Sequence, residues 1–159
     1  MTLQQLRYAV TIADMKSMNK AASELFVSQP ALSNTIHDLE EELQIEIFLR
    51  TNRGIVVTTE GEEFLSYARQ MVELQQMMEE SNIGPKKKDA WLAFGIALCV
   101  IFANEVDGME WRTLVDGNRE APILLNTSTG EWIDPMKLVW SKVKAGGKVN
   151  LPEIYSSLF

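Results

Sequence analysis

The chain has 159 residues, 46% of them hydrophobic, and a formal net charge of −7 at pH 7. This length allows one domain or two small ones with apolar cores. Because Cys99 is the single cysteine and His37 the single histidine, an internal disulfide is excluded and a zinc site of the common ligand types is not expected. The amino terminus has no charged region followed by an apolar stretch, so we expect no signal peptide and a reducing, cytoplasmic setting.

The first two predicted elements are helices. The apolar positions of the first recur with helical spacing at Leu3, Leu6, Val10 and Ala13. Ser17 then suits the N-cap of a short helix whose small alanines allow a close crossing with its neighbour. This flanking pattern supports the interpretation of the helix that follows.

The third helix has Ser28 in position for its N-cap and Pro30 in its first turn. One of its faces is apolar and carries Leu32, Ile36, Leu39 and Leu43. The opposite face is polar and carries Gln29, Pro30, Ser33, Asn34 and His37. Such a helix fits the DNA major groove, where Gln and Asn pair with adenine and Ser bonds several base edges. The alternative is an ordinary solvated surface helix.

Two short β-prone runs, residues 45–50 and 55–58, follow this helix, and the turn-forming residues 51–54 separate them. We interpret them as the wing of a winged helix-turn-helix. Arg50 lies at the base of the wing and Arg53 at its tip, where a guanidinium can reach phosphates or a narrow minor groove. The alternative role for both arginines is surface solubility.

Residues 1 to about 81 resemble the amino-terminal winged helix-turn-helix and linker helix of the LysR-type transcriptional regulators. The resemblance rests on Ala21, Ala22, Leu25, the run Val-Ser-Gln-Pro-Ala-Leu-Ser at 27–33, Ile36, Leu39, Glu40, Leu43, Phe48, Arg50, Arg53, Gly54, Thr58, Glu60 and Gly61. It implies that the residues meeting DNA are Gln29, Pro30, Ser33, Asn34 and Thr35, with Arg53 at the minor groove. Two positions depart from the family pattern: Asn34 stands where Arg is frequent, and Gln44 where Gly usually ends the helix.

A long helix follows the wing, and a capping box of Thr59 and Glu62 is predicted at its start. Its apolar positions alternate at spacings of three and four and predict a dimerisation seam of Phe64, Tyr67, Met71, Leu74 and Met78. The resemblance favours dimerisation, because the matching helix pairs two DNA-binding domains, which would read half-sites about 34 Å apart or a multiple of that distance. The alternative is that this stripe packs on its own chain.

The composition changes at Gly84 and Pro85, which stop a helix and are followed by three lysines. We therefore expect a mainly α protein with a winged helix-turn-helix DNA-binding domain at 1–58, a dimerisation helix at 59–81, a linker at 82–88 and a small α+β module of unknown role at 89–159. LysR-type regulators normally continue into a two-lobed α/β effector domain, for which too few residues remain. A fusion, a natural short variant and an engineered chain all stay open.

The last segment begins with the uncharged residues 90–103, which are fewer than the about 20 that span a bilayer. We expect a buried or partner-facing helix; a membrane-tethered regulator is the alternative, favoured by the preceding lysines. Residues 123–126 and 131–133 predict a hairpin. Asp134 and Pro135 suit the start of a helix that ends at Gly146, and Asn150 with Glu153 repeats the capping-box spacing.

The formal charge of −7 lies entirely within residues 1–80, so we expect weak binding to random DNA. Because glycine-rich phosphate loops are absent from the sequence, we expect no enzyme activity, no cofactor and no metal. The predicted function is a dimeric, sequence-specific transcriptional regulator whose partner is double-stranded DNA. The competing prediction is a protein-interaction or assembly module in which the winged fold has lost DNA binding and its acidic surface meets a basic partner.

Overall fold

The computed structural model describes residues 1–52 and 54–158, and for Arg119 the backbone alone. Its helices and strands fall into two compact units. One unit comprises Met1–Val72 and the residues from Tyr155 onward, and the other comprises Glu73–Ile154. The predicted class, mainly α with a small sheet module, is confirmed.

The first unit begins with three helices, which are α1 (Leu3–Met15), α2 (Met18–Glu24) and α3 (Gln29–Leu43). Each starts after a hydroxyl side chain that accepts the N–H of the residue three positions further on, and these caps are Thr2, Ser17 and Ser28. The predicted caps at Ser17 and Ser28 are therefore present, with the Ser28 hydroxyl 3.3 Å from the amide nitrogen of Ala31.

The apolar faces of these helices share one buried cluster. Leu32, Ile36 and Leu39 of α3 lie in it together with Ile12 of α1 and Ala21 of α2. Burying an aliphatic side chain of this size stabilises the fold by about 1.5–3 kcal/mol. The core therefore holds α3 by its apolar face and leaves the polar face at the surface.

The wing consists of β1 (Phe48–Thr51) and β2 (Gly54–Val57), paired antiparallel with Phe48 opposite Val57. It is attached to the end of α1, because the N–H of Ile55 donates to the carbonyl of Lys16 over 3.2 Å. The two backbone segments run close together there. A Cβ on Gly54, whose φ is +126°, would lie 2.9 Å from the same carbonyl oxygen.

The first wing strand starts at Phe48, three residues later than predicted. The reason lies in the way α3 ends. Gln44 closes the helix in the left-handed conformation, and the Glu40 carboxylate accepts the N–H groups of Ile47 at 2.8 Å and Phe48 at 3.0 Å. The chain between helix and strand is thus bonded to Glu40 before the ladder of β1 can begin.

The long helix, α4 (Thr59–Glu80), starts one residue away from its predicted cap. The hydroxyl of Thr58, not that of Thr59, accepts the first-turn N–H of Gly61 at 2.8 Å. An N-cap residue must have a non-helical backbone, and Thr58 meets this condition because it follows the extended β2 directly. The predicted box of Thr59 and Glu62 is therefore wrong by one position.

The second unit contains α5 (Lys88–Glu105), whose buried residues include Trp91, Leu98 and Phe102. Gly95 brings this helix against the backbone that follows the sheet, since a Cβ there would lie 2.0 Å from the carbonyl oxygen of Pro135. Cys99 is also buried, and burial, followed by the nearby Asp134 carboxylate, raises its thiol pKa to about 12. Within the described part of the chain, no helix combines the length and the apolarity needed to cross a membrane.

An antiparallel sheet follows α5 in the order β3 (Met109–Asp116), β4 (Arg119–Asn126) and β5 (Trp132–Ile133). The predicted hairpin of residues 123–126 and 131–133 is confirmed as the β4–β5 pair. β3 was not predicted from the sequence; it pairs with β4 over its whole length, from Met109 opposite Asn126 to Asp116 opposite Arg119.

The helix predicted after Asp134 is divided into α6 (Pro135–Leu138) and α7 (Trp140–Lys144). Its cap is confirmed, since the Asp134 carboxylate accepts the N–H of Met136 at 2.9 Å. The division falls at Val139, a buried residue with a φ of −112°. That angle is well outside the α-helical range, so the helix cannot run through it.

The last helix is α8 (Leu151–Ser156), and its first N–H is bonded across the second unit. The Leu151 amide donates to Oε1 of Gln75 at 3.2 Å, while Nε2 of Gln75 donates to the Val149 carbonyl at 3.2 Å. Oδ1 of Asn150 is buried and has no hydrogen-bond partner among the described residues. The capping box predicted for Asn150 and Glu153 is therefore not formed.

All four tryptophans belong to the second unit, at Trp91, Trp111, Trp132 and Trp140. The Trp91 indole N–H donates to the Gly84 carbonyl at 3.1 Å. The indole of Trp140 lies between two ammonium groups, with Lys88 Nζ 5.4 Å and Lys144 Nζ 5.1 Å from the ring centroid, as in cation–π contacts.

Candidate nucleic-acid interface

The polar face of α3 lies at the surface of the first unit. Pro30, Asn34 and His37 are exposed, while Gln29 and Ser33 are half-buried. The predicted base-contacting residues therefore share one accessible side of the helix. Because their side chains are short, the helix backbone could approach base edges closely in a groove about 12 Å wide.

Thr35 is half-buried and less free than its neighbours on α3. Its hydroxyl donates to the carbonyl of Ala31, one turn earlier, over 3.0 Å. This back-bond uses the single hydroxyl hydrogen and leaves the oxygen lone pairs as acceptors. Thr35 could therefore accept a hydrogen bond from a partner but would have to break the back-bond to donate one.

The wing touches the polar face of α3 through Arg50. Nη2 of this exposed arginine donates to the hydroxyl oxygen of Ser33. The contact joins two of the predicted DNA-binding residues, one on α3 and one on β1. It directs the Ser33 hydroxyl hydrogen away from Arg50 and brings a guanidinium, with its five N–H donors, next to the helix face.

A cavity of about 440 Å³ opens between α3 and the wing. Its lining includes Ser33, Asn34, His37 and Arg50, together with the carboxylates of Glu40 and Glu46. Glu40 is occupied with the amides of Ile47 and Phe48, as described above. The cavity thus brings together predicted contact residues, but its electrostatic character is mixed rather than cationic.

A second cavity of about 350 Å³ shares Arg50 with the first and is lined by polar residues that were not predicted from the sequence to contact DNA. Ser17 and Asn19, at the start of α2, line it together with Gln29 and Arg50. The first helix of a helix-turn-helix crosses the DNA backbone, so polar residues at its amino end are candidates for phosphate contacts. Their position at the start of α2, one helix before α3, was the feature of the sequence that could have identified them as candidates.

Arg53, predicted to reach the minor groove from the wing tip, lies outside the described residues. Its role stays a prediction. The strand residues on either side of the tip, Thr51 and Gly54, are paired with each other. The two end residues of the predicted turn, residues 51–54, therefore belong to the strands.

Some acidic side chains of the first unit have a basic group nearby, and one of them, Glu41, lies beside the polar face of α3. Asp14 pairs with Arg69 over 2.7 Å. Glu41 lies 3.4 Å from His37, one turn further along the helix, and Glu42 pairs with the amino terminus of Met1. Ion pairs at the surface contribute little to stability, about 0–1 kcal/mol each.

The stripe predicted as a dimerisation seam is covered within the single chain. Tyr67, Met71, Leu74 and Met78 are buried, and Phe64 is half-buried. The Tyr67 ring packs on that of Tyr155 at 4.8 Å between centroids, and burial, followed by Tyr155, raises the pKa of the Tyr67 phenol above its usual range. This burial favours the alternative of packing within the chain, and pairing through the stripe stays a prediction.

Comparison with protein families divides the chain in two. Residues 3–62 match the family described as bacterial regulatory helix-turn-helix protein, lysR family. Residues 70–155 match a domain of unknown function, DUF3806. This second match begins inside α4 and covers the part of the chain in which the sequence analysis recognised no family.

Individual proteins are similar to this chain over slightly more than half of its length. The uncharacterized HTH-type transcriptional regulator YkuM of Bacillus subtilis (strain 168) is 40% identical over 81 residues, which are 51% of this chain and 28% of YkuM. A protein from Bacteroides thetaiotaomicron VPI-5482, solved at 1.50 Å, has 53% identity and a TM-score of 0.53, covering 57% of this chain and 33% of that one. Full-length CbnR complexed with its target DNA has 32% identity and a TM-score of 0.50, covering 55% and 31%. This chain thus spans about a third or less of the length of these proteins.

Proposed function

We infer that this chain is a DNA-binding transcriptional regulator, because its residues 3–62 match the LysR family of bacterial regulatory helix-turn-helix proteins. Over residues 70–155 the chain belongs to the DUF3806 family. The single observation that carries the proposal is the accessible polar face of α3 with the Arg50 guanidinium beside it. The relative CbnR, which was solved with its target DNA, supports it. Such a regulator would work where the chromosome is, in the cytoplasm.

We propose that α3 enters the major groove with Gln29 and Asn34 directed at base edges. Both carry an amide that can donate and accept at once, the geometry that adenine offers. Ser33 would add a contact that the Arg50 bond orients. Pro30 and Thr35 would line the same face. Pro30 would contribute its shape, and Thr35 would offer its acceptor lone pairs.

The arginines of the wing would act on the DNA backbone. Arg50, at the wing base, and Arg53, at the tip, would each neutralise a phosphate and contribute affinity without reading sequence. Ser17 and Asn19 would bond neighbouring phosphates from the start of α2. These few contacts would fix the position of α3 along the groove and would not determine which sequence it prefers.

The negative charge of residues 1–80 bears on oligomeric state. A monomer with few phosphate contacts would bind DNA weakly, because non-specific affinity comes mainly from phosphate neutralisation. Joining two such units makes the second contact intramolecular and raises the total affinity by orders of magnitude. We therefore propose that the protein acts as a dimer on two half-sites.

The test is a fluorescence anisotropy titration against oligonucleotides chosen by in vitro selection, with a scrambled duplex beside them. We expect Gln29→Ala and Asn34→Ala to cost about 1–3 kcal/mol on the selected site and to flatten base preference at one position. Gln76→Ala, which changes an exposed amide outside the interface, is the control and should bind as the wild type does. Equal losses on the selected and scrambled duplexes would contradict base reading by these residues.

A second candidate function has an observation of its own. Glu40 and Glu46 line the cavity between α3 and the wing, and residues 1–80 are strongly acidic. An assembly module of this kind would bind a basic protein surface through the wing. It would show no site preference on DNA at low salt, yet bind a lysine-rich peptide with a strong salt dependence.

A further inference from the structure

The outer edge of β3 is open. Among the described residues, β3 pairs with β4 alone and no strand lies on its other side. The turn between them has two residues, so Asp116 and Arg119 form a hydrogen-bonded pair and alternate positions of β3 bond toward β4. The backbone N–H and C=O groups of Trp111, Thr113 and Val115 therefore point to the open edge.

The exposed side chains along this edge include three apolar ones. Val115 is 62% exposed, Trp111 39% and Leu114 37%. Trp111 and Val115 lie on one face of the strand and Leu114 on the other. Proteins usually protect a free edge with charged side chains, proline, a bulge or a short strand; β3 has charged side chains but no proline over its eight residues. A long edge that combines apolar side chains with charges of both signs is suited to pairing with a complementary strand.

The charges along β3 decide which strand fits. An antiparallel pair of two β3 strands related by a two-fold axis at Leu114 places Arg112 of one copy opposite Asp116 of the other, twice over. The two Leu114 side chains then face each other, and Val115 faces Thr113. In the same register Trp111 lies beyond the end of the partner strand, because β3 ends at Asp116 and Gly117 belongs to the turn.

The neighbouring symmetric registers are less favourable. An axis at Thr113 sets Glu110 opposite Asp116, so like charges face each other twice. An axis at Arg112 sets the two guanidinium groups against each other. An axis at Trp111 pairs Glu110 with Arg112, which are already bonded within one chain at 2.5 Å, and leaves Val115 facing Asp107.

We propose that a second copy of this chain pairs with the open edge of β3, in the antiparallel register centred on Leu114. The pairing joins two three-stranded sheets into one continuous sheet and satisfies the edge amides of Thr113 and Val115, which face each other across the pair. It also sets the exposed Leu114 and Val115 side chains beside side chains of the partner strand. The inference deepens the proposed dimer by naming its surface, and it does not depend on DNA binding.

Charge reversal tests the register on the full-length chain by sedimentation equilibrium without DNA. Arg112→Asp and Asp116→Arg each place like charges across the pair, and each should weaken self-association about ten-fold or more. The double variant restores opposite charges and should recover most of the lost affinity. Glu120→Arg, an exposed charge on β4, is the control and should leave association unchanged. Failure of the double variant to recover, with the sheet still folded by circular dichroism, would overturn the register.

Amide hydrogen exchange on the wild type needs no variant. The amides of Thr113 and Val115 should exchange more slowly as protein concentration rises, while the exposed turn amide of Asn118 should not change. A chain that stays monomeric at high concentration, with fast exchange at these amides, would overturn the proposal and leave the edge for a different protein. Site-selective DNA binding by such a monomer would keep the proposed function, whereas association through β3 without site selectivity would refute that function alone.

Discussion

Oε1 of Gln75 accepts the backbone N–H of Leu151 over 3.2 Å, although Gln75 lies on α4 and Leu151 begins the last helix. The same amide group donates to the Val149 carbonyl, also over 3.2 Å. A buried glutamine, 5% exposed, thus serves as the cap that no residue next to α8 supplies.

Replacing Gln75 by Met should preserve volume and remove both of these bonds, together with a third that Nε2 donates to the Glu79 carboxylate at 3.0 Å. The buried Leu151 amide and the partly buried Val149 carbonyl would lose their partners, so we expect the free energy of unfolding to fall by about 2–4 kcal/mol. Gln76→Met is the matched control, because Gln76 is exposed and bonds only to Glu80, and its effect should stay within about 0.5 kcal/mol. Chemical denaturation followed by circular dichroism measures both; equal stabilities would refute a structural role for Gln75.

Each unit has a glycine at which the packing leaves no room for a side chain. A Cβ on Gly95 would lie 2.0 Å from the Pro135 carbonyl oxygen, and one on Gly61 would lie 2.4 Å from that of Ile47. Gly95→Ala should destabilise the second unit and Gly61→Ala the first, each by about 1–3 kcal/mol or more, because backbone must move to make room. Gly84→Ala, with no atom within 4 Å, should cost nothing. Thermal unfolding would contradict the packing if the three variants behaved alike.

Gln44 departs from the LysR pattern, and replacing it should improve the stability of the fold. Its φ of 56° is a conformation that costs a non-glycine residue about 1–2 kcal/mol. Gln44→Gly should therefore raise the free energy of unfolding by up to about 1 kcal/mol, after the entropy that glycine loses on folding is subtracted. The same change inside α3, Asp38→Gly, should lower it. A loss of stability in both variants would mean that the Gln44 bond to the Glu41 carbonyl matters more than the backbone strain.

The Arg50–Ser33 contact predicts coupled effects on DNA binding. Arg50→Ala should weaken binding to all sequences and make the salt slope shallower by about one unit, because one phosphate contact is lost. Ser33→Ala should act mainly on the selected site. Because the two side chains are bonded, the loss in the double variant should be smaller than the sum of the single losses. Strict additivity in anisotropy titrations would mean that Arg50 does not position Ser33.

Met71 separates the two interpretations of the α4 stripe. The side chain is fully buried in the single chain, so Met71→Glu should bury an unpaired carboxylate and unfold its surroundings, at a cost of several kcal/mol. Met77→Glu is the control on the same helix, since Met77 is 61% exposed. Sedimentation and circular dichroism together give the answer: a folded Met71→Glu monomer, derived from a dimeric wild type, would assign the stripe to dimerisation instead.

Helix α3 could be predicted from the sequence because the residues that indicate it are neighbours in the chain. The Ser28 cap, the first-turn Pro30 and the apolar spacing of Leu32, Ile36 and Leu39 all lie within α3 or directly before it. Each signal acts through neighbouring backbone, so the fold elsewhere does not change its meaning. The turn of the wing was predictable for the same reason.

The elements that were missed depend on more distant structure. β3 lacks the apolar and polar alternation of a half-buried strand because nearly all its side chains are exposed, on both faces. The Asp116-Gly117 pair was an available turn signal that could have revealed it. The Gln75 cap of Leu151 and the Arg50 bond to Ser33 join residues far apart in the chain, and no local pattern announces them.

The confinement of the tryptophans to the second unit gives this protein a built-in spectroscopic separation. Emission excited at the indole band reports on Trp91, Trp111, Trp132 and Trp140 and therefore on the DUF3806 part alone. Far-ultraviolet dichroism reports on both parts, since both contain helices. Comparing the two denaturation curves would reveal whether the halves of this chain melt together or one after the other, without any label.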